Sequence, residues 1–452
     1  MGERWFRAWA LGSVAFGGAS LLVPLYIVQL GATAVELGVL ASTAALVGAP
    51  GAVAFGRLAN RVGRRRPLVL VTLATAALAL AIIPLLTSVT AVVVANAALW
   101  LVVASVAPVL TMLVVDDAPE SAWSERIGRL NKYQGYGWAG GLILGTVWPL
   151  VASRIVDPPA VTRLLFPVLA ACAGLSVLDA ARSLPRPAPE DHVTDRRRVR
   201  RVARLLARSR SGVRSATFAL SPNRLYWSTR GVRPRRLLDR LDAALATYLV
   251  AAVCSYAGAA AFWAPLPLLL TAEGFDSGRV FGLYLASSLA SAALYERAGE
   301  VASRRDPRLL QSGALAARGL LFPVVVLAAG LGAAGVGFGA AAAVLAGIGL
   351  TWAFIAVVGT AIVTRLAPPS LRGDVLGVHA ALAAAAGGAG ALLGGWAAGF
   401  GYLVAFGVAG GLVLLGAALV ASLRSLSGGR GATTPVGEDA SGPGEASGSR
   451  TD

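Results

Sequence analysis

The sequence predicts an all-α polytopic membrane protein, with twelve transmembrane helices in two pseudo-symmetric six-helix bundles. Three observations carry that prediction. Apolar residues make up 56% of the 452 and charged residues only 14%, where a soluble domain carries about a quarter; the mean hydropathy is +0.69. Twelve apolar windows follow one another near 8–30, 37–56, 67–87, 90–115, 133–152, 163–182, 244–271, 278–297, 309–331, 336–365, 375–398 and 401–423. Windows of that size cross roughly 30 Å of hydrocarbon at about 1.5 Å per helical residue. Finally, arginine-bearing connections alternate with poorly charged ones, as expected when Lys and Arg collect on the cytoplasmic side. The connection at 153–163 is the exception, with Arg154, Asp157 and Arg163.

The first window follows Arg4 and Arg7 and is too long for the apolar core of a signal peptide. It also lacks a small-x-small cleavage site, so it reads as a retained span. Windows two and three are joined by Gly56-Arg57-Leu58-Ala59-Asn60-Arg61-Val62-Gly63-Arg64-Arg65-Arg66. Five arginines in so short a hairpin place it on the cytoplasmic side, and Gly56 and Gly63 suit a sharp bend. The fourth window ends at Asp116-Asp117. Two adjacent carboxylates make an incomplete oxygen shell for a metal; pairing with Arg126, Arg129 or Arg64–Arg66 is the alternative.

The fifth window opens Asn131-Lys132-Tyr133-Gln134-Gly135-Tyr136-Gly137-Trp138. Gln134 and Trp138 share a helix face at i, i+4, and Asn96 and Trp100 repeat that amide–indole spacing in the fourth. These four, with Tyr256, Trp263 and Trp352, are candidates for lining a polar cavity; an interfacial aromatic belt is the competing reading of the fifth-window set. Arg318 lies about nine residues into the ninth window, where a charge is a functional suspect. It reads as a counter-charge for an anionic substrate, as half of a switching ion pair, or as a packing arginine. His379, about five residues into the eleventh, reads as a proton shuttle or a packing histidine.

The halves repeat one another. Ile127-Gly128 leads to Gly141-x-x-x-Gly145 as Leu376-Gly377 leads to Gly390-x-x-x-Gly394. Gly299-Glu300-Val301-Ala302-Ser303-Arg304 follows the eighth window as the 56–61 string follows the second, with Arg304 where Arg61 stands. Such a repeat indicates duplicated transporter architecture. Gly137, Gly141, Gly145, Gly387, Gly390 and Gly394 suit close helix crossing.

The chain divides into an N-terminal bundle (1–182), a basic cytoplasmic linker (183–240), a C-terminal bundle (241–424) and a Gly/Ser/Thr-rich tail (425–452) read as disordered. Pro185, Pro187 and Pro189 stop the sixth helix. The arginines over 196–214, with Val199, Val202, Leu205 and Leu206 between them, form a basic amphipathic helix suited to anionic lipids of the inner leaflet. No motif for nucleic-acid recognition accompanies them. Both termini are expected in the cytoplasm of a multi-pass plasma-membrane protein.

No catalytic constellation, nucleotide-binding loop or metal-ligand cluster appears, so no enzyme activity and no cofactor are expected. His192 stands in the linker, and Cys172 and Cys254 fall inside apolar windows.

The 56–66 string resembles the loop signature of the major facilitator superfamily, G-x-L-a-D-r-x-G-r-r. Gly56, Leu58, Arg61, Gly63, Arg64 and Arg65 stand where that family has them, while Asn60 replaces the usual aspartate and loses its charge. The resemblance implies two six-helix bundles around a central cavity, alternating access by rocking, and a gating role for this turn with Arg304 as its second copy. The implied function is secondary active or facilitative transport of a small organic solute. A non-transporting membrane sensor or structural protein of the same fold is the rival. Window 91–115 holds no arginine, so the fourth-span motif typical of drug–proton antiporters is absent. No Asp or Glu stands near the middle of the N-terminal half, so a coupling proton (H+) lacks its usual carrier residue.

Overall fold

A computed structural model describes residues 4–47, 65–116, 123–184, 242–333, 335–367 and 372–428. Gly56, Leu58, Asn60, Arg61, Gly63 and Arg64 of the signature turn, the basic 196–214 segment and the tail beyond 428 lie outside the described residues. Among the described residues, twelve helices carry the fold. The first half holds α1 (Arg4–Gln29), α2 (Ala34–Val47), α3 (Arg65–Ile82), α4 (Val89–Asp116), α5 (Trp123–Ala152) and α6 (Pro158–Ser183). The second holds α7 (Ala243–Trp263, resumed as Leu266–Ala272), α8 (Ser277–Arg304), α9 (Pro307–Ala329), α10 (Val336–Leu366), α11 (Arg372–Ala397) and α12 (Tyr402–Gly428). No strand occurs among the described residues. Among the described residues, eight stretches are long and apolar enough to cross a membrane, on α1, α3, α6, α7 and α9–α12; α2 and α4 add shorter apolar runs.

Local chemistry sets several boundaries. Thr33 and Glu36 form a capping box at the start of α2, the Glu36 carboxylate accepting from the Thr33 N–H at 2.7 Å. Asp276 and Asp306 cap α8 and α9 by accepting from the Arg279 and Arg308 amides, each at 2.9 Å. Because Asp306 and Pro307 start α9 at once, α8 runs on through Gly299 to Arg304. The second copy of the turn string thus ends a helix rather than forming a turn. In α6, Pro158 and Pro159 open the helix ahead of Arg163, whose guanidinium lies 5.9 Å from the Tyr26 ring. The exceptional charge at 163 is therefore helical and lodged against α1.

Packing shows the duplication directly. Helix α1 packs on α5 and α6, α3 on α4 and α6; in the second half α7 packs on α11 and α12, α9 on α10 and α12. Adding six to each label of the first set yields the second. Two arginines repeat as well: the Arg66 guanidinium at the start of α3 donates to the Ala181 carbonyl near the end of α6, and Arg308 at the start of α9 donates to Leu423 of α12 at 2.9 Å. Both place a cation at the negative end of a helix. The outer surface is apolar, with Val71, Leu78, Val94, Leu175, Leu320 and Leu327 all more than half exposed. In water such a surface would drive aggregation; against lipid tails it costs nothing.

The glycine repeat has two jobs. Gly141 of α5 sits on backbone atoms of Val14, Gly17 and Gly18 in α1, and Gly390 and Gly394 of α11 sit on Ala257 and Ala261 of α7. A β-carbon at any of these would strike main chain. Gly145 differs, for it faces the Phe281 ring of α8 across the halves.

Candidate functional site

With the described helices running alternately up and down, the start of α1 and the end of α12 lie at one face, here the terminal face. The connections near 30–33, 86–88, 153–157, 273–276, 330–335 and 398–401 mark the far face. Several helix crossings join the two halves in the far part of the molecule. On α5 and α8, Gly145 meets Phe281, and Gly278 lies against Thr146 and Pro149; on α2 and α11, Gly38 lies against the Ala391 carbonyl and Gly395 against the Ala34 carbonyl. Helix α1 also touches the Leu266–Ala272 segment. These crossings hold the far sides of the halves together, by backbone-to-backbone contact between α2 and α11, which only glycine permits, and by the Phe281 ring seated on Gly145 between α5 and α8.

A partly open pocket lies within the second half. Helix α7 contributes Tyr248, Ala251, Ala252, Ser255, Tyr256 and Ala259; α9 contributes Gln311, Leu315 and Arg318; α10 contributes Trp352, Ile355, Ala356 and Gly359; His379 and Val420 close it from α11 and α12. Each set recurs at helical spacing, so one stripe of each helix faces the space. The room comes from small side chains at Ala251, Ala252, Ala259 and Ala356. Among the described residues no Asp or Glu lines the pocket.

One end of the pocket is a satisfied polar network. The buried Tyr248 hydroxyl donates to the Gly359 carbonyl at 2.9 Å, and the Gln311 amide donates to the Tyr248 oxygen at 3.1 Å. A β-carbon on Gly359 would lie 3.0 Å from both side chains, so its bareness makes room for the pair. The His379 ring is stacked on Tyr248 at 6.2 Å and stands edge-on to Tyr256 at 5.9 Å.

Arg318 holds the middle. It is 3% exposed, with its guanidinium carbon 5.2 Å from the Trp352 ring and 5.5 Å from Phe322. Cation–π contact of this kind stabilises a desolvated cation by about 2 kcal/mol, well short of the cost of removing it from water. Nη1 donates to the Ile348 carbonyl at 3.1 Å, an acceptor shared with the Thr351 hydroxyl at 2.7 Å. Nε has no hydrogen-bond partner among the described residues.

Of the residues singled out in sequence, Tyr256, Arg318, Trp352 and His379 meet in this pocket. Trp263 lies outside it, against Phe262 and Tyr284. Asn96, Trp100, Gln134 and Trp138 belong to the other half. There the Trp100 and Trp138 rings are 6.2 Å apart, Asn96 is buried and Gln134 half-buried. Arg65 is buried at the head of α3, and Arg304 is exposed at the end of α8. Tyr248, Ser255 and Gln311 were not anticipated, although Gln311 precedes Arg318 by seven residues and so shares its helix face. Among the described residues no group of three His, Cys, Asp or Glu could hold a metal, and Cys172 and Cys254 carry free thiols.

A family model described as Major Facilitator Superfamily matches residues 6–344. No curated protein matches the chain in sequence. Among solved structures, a variant of the nucleoside transporter NupG is similar with a TM-score of 0.69 and 12% identity, covering 94% of this chain and 98% of that one. The human organic anion transporter MFSD10 (TETRAN) is similar with a TM-score of 0.54 and 17% identity, covering 92% and 98%. At such identities the likeness is one of fold.

Proposed function

Because the chain belongs to the major facilitator superfamily, we infer that it carries a small organic solute across a membrane by alternating access, with the pocket of the second half as the solute site. It is a multi-pass membrane protein and a solute transporter. The observation that carries the choice of site is the juxtaposition just described: a pocket with a buried, incompletely bonded cation, in a molecule whose halves are sealed across their far side. A transporter needs such a site and a seal that can be broken. The terminal face, rich in arginine, is assigned to the cytoplasm of the plasma membrane, so this arrangement is the one loaded from inside. The 56–66 turn and Arg304 are assigned to gating, and the 196–214 arginines to anionic lipid headgroups. The two bundles are assigned to 1–182 and 241–424.

The test locks the seal. A β-carbon on Gly282 would lie 3.6 Å from the Thr146 side chain across α8 and α5, within the reach of a disulfide. In a Cys172→Ala/Cys254→Ala background, T146C/G282C should cross-link. A solute is first found by thermal-stability screening against sugars, organic anions, amino acids and lipophilic cations, since a bound ligand raises apparent stability. Flux of that solute into proteoliposomes should stop on oxidation and return on reduction. Ala356→Trp, which fills the pocket, should abolish it with the fold intact. Undiminished flux through the cross-linked protein would overturn the rocking reading; undiminished flux in Ala356→Trp would overturn the site.

A further inference from the structure

We propose that the pocket selects a monocarboxylate with a compact apolar or aromatic body, gripped by the Nε edge of Arg318. This rests on the reading of the pocket as the solute site and names its substrate class.

A guanidinium is a planar fork whose N–H groups leave along fixed directions. In Arg318 one direction is already taken, by the bond from Nη1 to Ile348. The rings of Trp352 and Phe322 hold the ion by its π-contacts. The edge that remains carries Nε–H, which has no acceptor among the described residues, and beside it the parallel N–H of Nη2. Two parallel donors match the two oxygens of a carboxylate. An Arg with a water-facing head would need no such partner, but this one is nine-tenths buried and lines the cavity.

The rest of the wall selects further. Among the described residues the cavity lining holds one obligate cation and no carboxylate, so a cationic ligand would meet a like charge with no counter-charge. A dianion would bring a second charge into a low-dielectric site with no obligate partner for it. Around the fork stand Trp352, Tyr256, Leu315 and Ile355, which offer apolar surface to the body of the ligand. Tyr248 and Gln311 already satisfy each other, so they do not call for a sugar-like array of hydroxyls.

The experiment uses the full-length protein in detergent and follows thermal unfolding with phenylacetate and hexanoate. Controls are their neutral amides phenylacetamide and hexanamide, the dianion phenyl phosphate, and tetraethylammonium. At least one carboxylate should raise the unfolding temperature with a saturable dose dependence, and the controls should not. Arg318→Gln should weaken that carboxylate by at least about 30-fold and bring its ratio to the amide near one, because a buried charged hydrogen-bond pair has lost a partner. Removing an incompletely bonded buried charge leaves the unliganded protein no less stable. Arg318→Lys keeps the charge without the fork and should lose roughly 10-fold.

Failure of both carboxylates, equal stabilisation by acid and amide, or a preference surviving Arg318→Gln would overturn the assignment. The transporter reading fails separately. A carboxylate that binds through Arg318 but is not moved across proteoliposomes upholds the class and removes the transport. A neutral solute that is moved, and is blocked by Ala356→Trp but not by Arg318→Gln, removes the class and upholds the site.

Discussion

The two halves share one packing scheme and use buried polarity in opposite ways. In the first half, polar side chains tie helix to helix. The Tyr26 hydroxyl donates to the Leu86 carbonyl at 2.8 Å, Ser176 to Ala8 at 2.7 Å, Trp148 Nε1 to Val161 at 2.8 Å, and the Gln29 amide to Thr162 at 2.7 Å. In the second half the polar residues of α7, α9, α10 and α11 converge on a space, and one of them, Arg318, keeps bonding capacity in reserve. A duplicated fold needs only one copy of a ligand site, so one bundle can spend its polar groups on rigidity. The closure of the far side adds a third category, contacts that belong to neither half and must come apart in the cycle.

The largest expected effects separate within-half from between-half contacts. Gly141→Val and Gly390→Val would each drive a side chain into the main chain of α1 or α7, where neither helix can yield. Each should cost roughly 3 kcal/mol or more and leave little monodisperse protein after extraction. Gly145→Val, four residues along the same α5, meets the Phe281 ring of the other half instead. That variant should remain folded and pry the far side open. In a Cys172→Ala/Cys254→Ala background, Ser42→Cys, buried beside Gly388 of α11, should then react faster with an impermeant maleimide from the far side. If Gly145→Val aggregates as Gly141→Val does, the line drawn between scaffold and seal is misplaced.

The second effect compares two tyrosines. Tyr248→Phe leaves the Gly359 carbonyl and the Gln311 amide without their hydroxyl partner in a buried site, a loss of about 1–3 kcal/mol. It also alters the pocket wall, so solute affinity should fall with stability. Tyr26→Phe gives up a bond whose acceptor residue, Leu86, is only half-buried, and should cost about 1 kcal/mol with affinity unchanged. Denaturation and binding measured on both variants sharpen the division of labour; equal affinity losses would erase it.

Much of this division was unreadable in the sequence, for physical reasons. Helix number and order follow from hydropathy and arginine alternation, because a bilayer imposes length and charge rules on every span separately. The duplication was legible in glycines, since backbone contact admits no other residue. Yet Gly141 and Gly145 look alike on paper, although one touches its own half and the other its opposite. Arg318 announced itself by its depth. Tyr248 and Gln311 did not, because their partners lie 63 residues apart and a tyrosine near a helix end reads equally well as an interfacial anchor. The amide–indole pairs Asn96–Trp100 and Gln134–Trp138 obey a spacing that any helix face can show. Nothing in that spacing says which bundle keeps a cavity.

The smallest expected effect bears hardest on the comparison. Trp100 and Trp138 stand 6.2 Å apart with their rings tilted by 47°, a contact between α4 and α5 inside the first half. Aromatic pairs of that geometry contribute about 0.5–1.5 kcal/mol beyond their burial, and Trp100→Phe keeps a ring in place, so its stability cost should fall within that range. If the first half is scaffold, solute affinity in Trp100→Phe should stay within roughly twofold of the parent, a change of about 0.4 kcal/mol. A flux assay should show the same half-saturation. A clear loss of affinity would mean that α4 and α5 reach the solute when the halves rock together, and that the pocket within the second half is one wall of a shared site. That result would leave Arg318 as the anchor and move the boundary of the site across the molecular midline.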